Sequence, residues 1–300
     1  MTNKLRPLLA TEVKNLKDIK LPMLASVKLD GIYALIVDGV IYSRSFKPIK
    51  NKYVQKLFGN RDLNGLVGEL VCGDVYAEDV FRRTTTATMA EDGVNDVKLY
   101  VFDDWSVGDK PYQERYQHYQ RRIKALNHGS IVALEHNMLH TIDEVITVLD
   151  KEQKRNGEGI ILRLPSAKWK NGRSTPKSQE SVKLKFFEQQ EYKIVDVVER
   201  MHNANEAKVN EIGYTERSSH KDNMIPMNTF GAFVMELQDG RNFNVGSGLG
   251  LTDAVRKEIW NNRDKYIGKI ATVRQMKVGS KNGIPRLPTF VGLRDKDDMS

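Results

Sequence analysis

Cysteine is almost absent from this chain. Cys72 is the only one among 300 residues, so neither an intramolecular disulfide nor a cysteine-rich zinc site is available. It lies in the apolar run LVGELVCGD, where a buried, inert thiol is expected. The six histidines, His118, His128, His136, His140, His202 and His220, have no metal-ligand spacing, and no zinc site is expected from them. No apolar run approaches the roughly 18 residues of a membrane span. The first twenty residues, MTNKLRPLLATEVKNLKDIK, lack the sustained apolar stretch of a signal peptide, so a cytoplasmic protein without membrane contact is expected. Internal repeats, low-complexity tracts and Gly/Ser linkers are missing too. Acidic residues are in deficit, 39 against 47 Lys plus Arg, for a net charge of +8. That excess favours a polyanionic partner.

A chain of this length has a prior of two domains. Residues 22–49 read as strands broken by turns, PMLASV leading into Lys28-Leu29-Asp30-Gly31, then IYALIVD, Gly39 and VIYSRS. Residues 66–73 and 97–103 read as further strands. PYQERYQHYQRRIKAL and TIDEVITVLDKEQKRNG read as helices, the second with Thr141 and Glu144 at capping-box spacing. GIILRL and SVKLKFF are two more strands. The texture changes after about residue 188. EYKIVDVVE is a strand, residues 201–228 are polar with little periodicity, and FGAFVMEL and RNFNVG flank the hairpin signal Asp239-Gly240. DAVRKEIWNNRDK is a helix, and KIATVRQMKVG and LPTFVGLR are late strands. Short strands with one helix suit a small β-barrel such as an OB-fold.

Several short segments carry chemistry. A lysine attacks a phosphoryl group only as the neutral amine, so Lys28 would need desolvation or neighbouring cations. Gly31 would let backbone approach a bulky ligand closely. Arg44, within Ser43-Arg44-Ser45, offers a cation on the next strand. Gly68-Glu69-Leu70 sets a carboxylate on a strand. Phe102, before Asp103, could stack on a base. Glu158 stands between Gly157 and Gly159. Lys183 and Lys185 alternate along a strand, so both amines face one side. Taken singly, K-x-D-G also fits a plain turn, Phe102 a core aromatic, and the two lysines an exposed strand face.

Taken in order, these segments resemble the covalent nucleotidyltransferase superfamily of ATP-dependent DNA ligases, RNA ligases and mRNA capping enzymes. The shared order is K-x-D-G, S-R, G-E, an aromatic before Asp, E-G and K-x-K. The resemblance continues through Trp169-Lys170-Asn171-Gly172-Arg173-Ser174 and Asn244-Val245-Gly246-Ser247-Gly248-Leu249. It closes on Gly283-Ile284-Pro285-Arg286-Leu287-Pro288-Thr289-Phe290 and Leu293-Arg294-Asp295-Lys296, which look like the ends of minimal viral-type DNA ligases.

The resemblance implies an α+β protein. Residues 1–188 would be an adenylyltransferase domain, an ATP-grasp-like nucleotidyltransferase. Residues 189–300 would be a β-barrel OB-fold domain with a latch-like insertion at about 201–228. It implies an ATP-dependent DNA ligase that seals 5'-phosphate/3'-hydroxyl nicks through lysyl-AMP and then DNA-adenylate. Lys28 would take AMP. Asp30 and Glu69 would lie near the ribose and the metal, and Arg44 would engage the nick phosphate. Phe102 would stack on adenine. Glu158, with Asp30, would hold Mg2+ or Mn2+. Lys183 and Lys185 would meet the AMP phosphate and the leaving pyrophosphate. The partner would be nicked duplex DNA and the protein a monomer. The compact form suggests a virus or phage, with work in replication, repair or recombination.

Two positions depart from the pattern. Many relatives read K-x-D-G-x-R, where this chain has Tyr33; the lost charge contact would be made good by Arg115 or another arginine, or not at all. Many DNA ligases carry Glu two residues before the lysine, where this chain has Ser26. DNA contacts are expected from the basic loop 165–180, through Lys168, Lys170, Arg173 and Lys177, and from Arg217 and Lys221 in the insertion. A mobile solvated loop is the competing expectation for 165–180. The alternatives to a DNA ligase are an RNA ligase, a GTP-dependent capping guanylyltransferase and an inactive nucleic-acid clamp.

Overall fold

The computed structural model describes residues 5–281 and 283–294. Asp295 and Lys296 of the last motif lie outside the described residues. The chain divides into two compact units, Met1–Phe186 and Phe187–Ser300.

The first unit holds two sheets. The hairpin Ile32–Val37 and Val40–Ser43 turns on Asp38-Gly39, with φ of 51° and 79°. Positive φ at both central residues is what the tight hairpin turn requires, and Asp-Gly supplies it cheaply. Leu66–Cys72 and Val97–Asp104 extend this sheet antiparallel, and Ile131–Ala133 adds a parallel edge. Its apolar face packs Ala34, Ile36, Phe58, Leu66, Leu70, Leu99, Val101 and Tyr119 into one core. The second sheet has the order Ser181–Lys185, Gly159–Arg163, Met23–Val27, Asn137–Leu139. Met23, Ala25, Ile160, Leu162, Val182 and Leu184 form its core, together with Val145 of the helix Ile142–Lys154. That helix begins with the expected capping box, Thr141 with Glu144, and the helix Tyr112–Leu126 follows Pro111 as read from the sequence.

Two helices were not legible. Lys52–Phe58 is short, and is fixed by buried Asn51, whose side-chain oxygen accepts from Val54 N–H at 2.9 Å. Val80–Met89 contains Thr84, Thr85, Thr86 and Thr88, β-branched residues that favour strands. Tertiary contact overrides them: Thr84 and Thr88 are buried, and Thr88 bonds back to the Thr84 carbonyl at 2.8 Å. Cys72 is half-buried beside this helix, and burial pushes its thiol up.

The second unit is a five-stranded antiparallel sheet in the order Asn242–Val245, Met224–Glu236, Phe187–Asn203, Ile270–Lys281, Ile284–Leu293. Phe187–Asn203 pairs with two partners in succession, Ile270–Met276 along its first half and Met224–Glu236 along its second. The last strand returns toward the first edge: Phe290 N–H donates to the Ser247 carbonyl at 2.7 Å, and Gly248 bridges Phe290 in parallel. Ile194, Phe230, Phe233, Met235, Val245 and Val273 fill the interior, beside the helix Asp253–Asn261. The expected hairpin at Asp239-Gly240 is present, with Gly240 at φ 81°.

Residues 201–228 are more ordered than their composition suggests. The flanking strands run to Asn203 and start again at Met224, and a small hairpin pairs Ala207–Val209 with Thr215–Arg217. All six hairpin positions are exposed. With neither face buried there is no apolar alternation to read.

Candidate active site

One cavity of about 200 Å³ opens in the first unit. Six cationic side chains line it, Lys28, Arg44, Arg163, Arg173, Lys183 and Lys185, with one carboxyl, Glu69. Phe102, Tyr33, Ser26, Ile161 and the N-terminal segment Leu8–Ala10 complete the wall. Such a balance suits a polyphosphate and would repel itself if left empty of anion.

The two sheets deliver these groups from their strand ends. Lys28 follows the strand Met23–Val27, and its N–H donates to the Gly159 carbonyl at 2.9 Å. Glu158 immediately precedes Gly159–Arg163, the next strand of the same sheet. Lys183 and Lys185 alternate on Ser181–Lys185, and both reach the cavity as the period of two requires. Two glycines make this meeting possible. A Cβ on Gly31 would lie 2.1 Å from the Leu70 carbonyl oxygen, and one on Gly159 1.9 Å from that of Leu184. Neither obstacle is a movable side chain, so both positions exclude every other residue.

Glu158 organises the charges. It is 4% exposed, accepts from Lys28 Nζ on Oε2, and pairs with Lys185 Nζ at 2.7 Å on Oε1. Burial alone would push this carboxyl up, but the two lysines hold it below its usual value. Glu69 shows the reverse: burial pushes it up to about 8, against the pull of Lys28, while the Glu158 and Asp30 charges push it further. The charges of Glu158 and Asp30 both reach Glu69. Asp30 and Glu158 do not line the cavity; Glu158 meets it through Lys28 and Lys185, which do. Lys183 is held by Glu12 at 3.2 Å. Burial draws its amine below the usual value, with Glu12 acting in the opposite direction. Arg44 is exposed at the cavity mouth, in the turn after Val40–Ser43.

Sequence reasoning missed Arg163 and Glu12. Arg115 does not replace the missing cation at position 33. It is 1% exposed and committed to structure, donating from Nε to Asp103 at 2.8 Å and from Nη1 to the Lys110 and Ala167 carbonyls at 2.8 and 2.9 Å. Arg163 lines the cavity instead. It pairs with Asp103 at 3.2 Å, and its guanidinium lies over the Phe102 and Tyr112 rings at 4.8 and 5.0 Å. Its signal in the sequence was position alone: five residues after Glu158, it ends the same strand.

The basic loop 165–180 is not a free loop. Glu180 accepts from Ser174 and Ser178 at 2.6 Å each and pairs with Lys170 at 3.2 Å. Burial opposes its ionisation, but the two hydroxyls and Lys170 hold it down to about 2. Lys20 donates to the Lys177 carbonyl at 2.6 Å, and buried Gln179 donates to the Asp18 carbonyl at 2.8 Å. The four basic residues expected on DNA thus separate. Arg173 lines the cavity and donates to the Ala10 carbonyl at 2.8 Å, Lys170 is tied to Glu180, and Lys168 and Lys177 are exposed. In the second unit Arg217 is anchored on the Asn205 carbonyl, and Lys221 is exposed.

Residues 7–185 match the ATP dependent DNA ligase domain, and residues 226–294 match the DNA ligase OB-like domain. Among solved structures, the chain is similar to the Chlorella virus DNA ligase-adenylate, 28% identical over 98% of this chain and 99% of that one, with a TM-score of 0.55. It also shares its fold with a Lig E DNA ligase that binds DNA with a minimal scaffold, 21% identical over 98% and 100% of the two chains, TM-score 0.70. No curated protein matches the sequence. Among the described residues, no helix is long and apolar enough to cross a membrane.

Proposed function

Because this chain belongs to the ATP-dependent DNA ligase family, enzymes that join DNA at the expense of ATP, we propose that Lys28 is the residue that carries AMP from ATP to the 5'-phosphate of a nick. The observation that carries the assignment is the shared carboxylate: Lys28 and Lys185 both bind buried Glu158 at the cavity wall. The Lys28 ammonium must lose a proton before it attacks, and the Glu158 oxygen it already donates to is the nearest acceptor. The neutral amine then forms the N–P bond to the α-phosphorus, and the bond to pyrophosphate breaks. Lys185 and Lys183 stabilise negative charge on the α-phosphate and the leaving pyrophosphate. Such phosphoryl transfers are largely positioning and charge stabilisation. Phe102 supplies the ring for the adenine, and buried Ser26 leaves recognition of its edge partly to main chain. The nick's 5'-phosphate oxygen next displaces Lys28 from AMP, with Arg44 at the mouth engaging that phosphate. The 3'-hydroxyl finally attacks the activated phosphorus and releases AMP.

A divalent ion, Mg2+ or Mn2+, fits the donor set. Among the described residues no three His, Cys, Asp or Glu are gathered into a protein-only cage. That suits an ion held by one or two carboxylates and mostly by phosphate oxygens and water. Glu158 and Asp30, whose charges push Glu69 up, would hold it. Bound there, it would neutralise phosphate charge. We assign the working form as a monomer on nicked duplex DNA, with exposed Lys168, Lys177 and Lys221 on the DNA backbone and the hairpin at 207–217 as a latch. Phosphate contacts carry no base information, so sequence preference should be small.

Incubation with labelled ATP, then with nicked DNA or nicked RNA, tests the reading. Lysine-linked AMP that is consumed as nicked DNA is sealed supports it. A covalent GMP adduct, or sealing confined to RNA, refutes it.

A further inference from the structure

Glu152 is a buried carboxylate that the chemistry above does not use. It lies in the last turn of the helix Ile142–Lys154 and is 6% exposed. Its Oε2 accepts a hydrogen bond from Tyr76 Oη at 3.1 Å, and Arg155 lies 3.9 Å from its Oε1. A buried carboxylate costs free energy that only good partners offset. Here the hydrogen-bonding partner comes from a segment 76 residues away in sequence.

Tyr76 belongs to the stretch between the strand Leu66–Cys72 and the helix Val80–Met89. Its neighbours Val75 and Ala77 pack against the cluster of Leu29, Val71 and Val80, which Val27 also joins. Val27 and Leu29 are the residues on either side of Lys28. The stretch is thus tied to the backbone that carries the nucleophile. Through Tyr76 it also reaches the backbone that carries Glu158. Beyond the helix, Asn156 takes a left-handed φ of 60°, and Gly157 N–H donates to the Glu152 carbonyl at 2.9 Å. A Cβ on Gly157 would stand 3.0 Å from that carbonyl oxygen and 3.1 Å from Glu152 Oε2. The carboxylate that Tyr76 holds therefore lies against the residue just before Glu158, the group that Lys28 and Lys185 share.

We propose that Tyr76 is a positioning residue for the adenylylation of Lys28. It holds Glu152 against the Gly157 turn while Val75 and Ala77 hold the Lys28 segment, and so sets the Glu158 carboxylate against the Lys28 amine. Tyr76 does not line the cavity, so it acts through Glu158 and not on ATP. This rests on Lys28 being the nucleophile. A small misplacement of a reacting group slows the chemical step without loosening the substrate.

The test is Tyr76→Phe, which removes one oxygen and keeps the ring. Single-turnover formation of Lys28-AMP is followed over a range of ATP concentrations. The maximal rate constant should fall roughly 3- to 10-fold, the worth of one hydrogen bond. The ATP concentration at half-maximal rate should stay at the wild-type value, and so should the final amount of Lys28-AMP per protein. Loss of folded protein alone would lower that amount and leave the rate constant unchanged. In a Glu152→Met background, Tyr76→Phe should slow the reaction no further, because the partner is already gone. A wild-type rate constant in Tyr76→Phe would overturn the proposal, as would a lower yield of adenylate at an unchanged rate constant. So would a raised ATP requirement at an unchanged maximal rate, or the full loss recurring in the Glu152→Met background. Absence of Lys28-AMP in the wild type would be a failure of the functional reading. Lys28-AMP formed normally by wild type and Tyr76→Phe alike would be a failure of this inference alone.

Discussion

The nucleotide cavity of the first unit and the small hairpin of the second are both rich in charge, and they hold it in opposite ways. In the cavity Glu158 is almost fully buried between two lysines, and Gly31 and Gly159 are fixed by backbone carbonyls that no side chain could displace. In the hairpin all six strand positions are exposed, and the pair Lys208–Glu206 is 3.9 Å apart with both side chains in water. A surface pair of that kind contributes about 0–1 kcal/mol, whereas removing one partner of a buried pair costs about 3–5 kcal/mol. The cavity thus carries charge that the fold must sustain, which is the mark of chemistry. The hairpin holds its charge at the surface, in water.

The comparison breaks most completely at Lys28. Lys28→Ala should abolish the covalent adenylate while leaving slow sealing of a nick that already bears 5'-AMP, because that last step needs no lysine nucleophile. Lys185→Ala comes next. It should slow single-turnover adenylylation about 10²–10³-fold, more than Lys183→Ala, whose amine pairs with half-exposed Glu12. Arginine should rescue either poorly, since a planar fork does not replace a point charge. Equal, near-normal rates in both alanine variants would remove the phosphate role from this strand.

On the exposed side, replacing residues 205–222 with a short Gly/Ser linker should leave folding and Lys28 adenylylation intact. Affinity for nicked duplex should fall roughly tenfold, with a shallower salt dependence. Unchanged nick affinity would make the hairpin a passive insertion.

The smallest effect sharpens the boundary between the two regimes at the basic loop. Glu180 is held down to about 2 by Ser174, Ser178 and Lys170. Its folded pKa is depressed, so its stabilisation is full above the ordinary glutamate value and is lost as pH falls toward 2. Glu180→Gln should cost about 1–3 kcal/mol at neutral pH and should lose less than wild type between pH about 4.5 and 2. Parallel stability curves for the two proteins would mean that the loop is not pinned by that carboxylate.

The same contrast explains what could be read from the sequence. Lys28, Glu69, Phe102, Glu158, Lys183 and Lys185 were legible because their short segments follow one another in the order that resembles the nucleotidyltransferases; local strand pattern alone left each with a plain structural reading. Arg163 and Glu12 were not, because their roles depend on which segments meet in space: Leu8–Leu9, just ahead of Glu12, pairs with Gly172–Arg173, far along the chain. Arg115 misled for a related reason. A lone arginine on a helix reads as a free cation, and only the packed structure shows it closing on Asp103. The hairpin at 207–217 was hidden because a strand exposed on both faces has no hydrophobic period.

Peptide mapping of the wild-type protein after incubation with ATP alone is the most direct test of the central claim. The account predicts one AMP-bearing peptide, with the modification on Lys28 and its disappearance when nicked DNA is added. AMP on Lys183, Lys185 or any other residue, or an adduct on Lys28 that nicked DNA does not discharge, would contradict it.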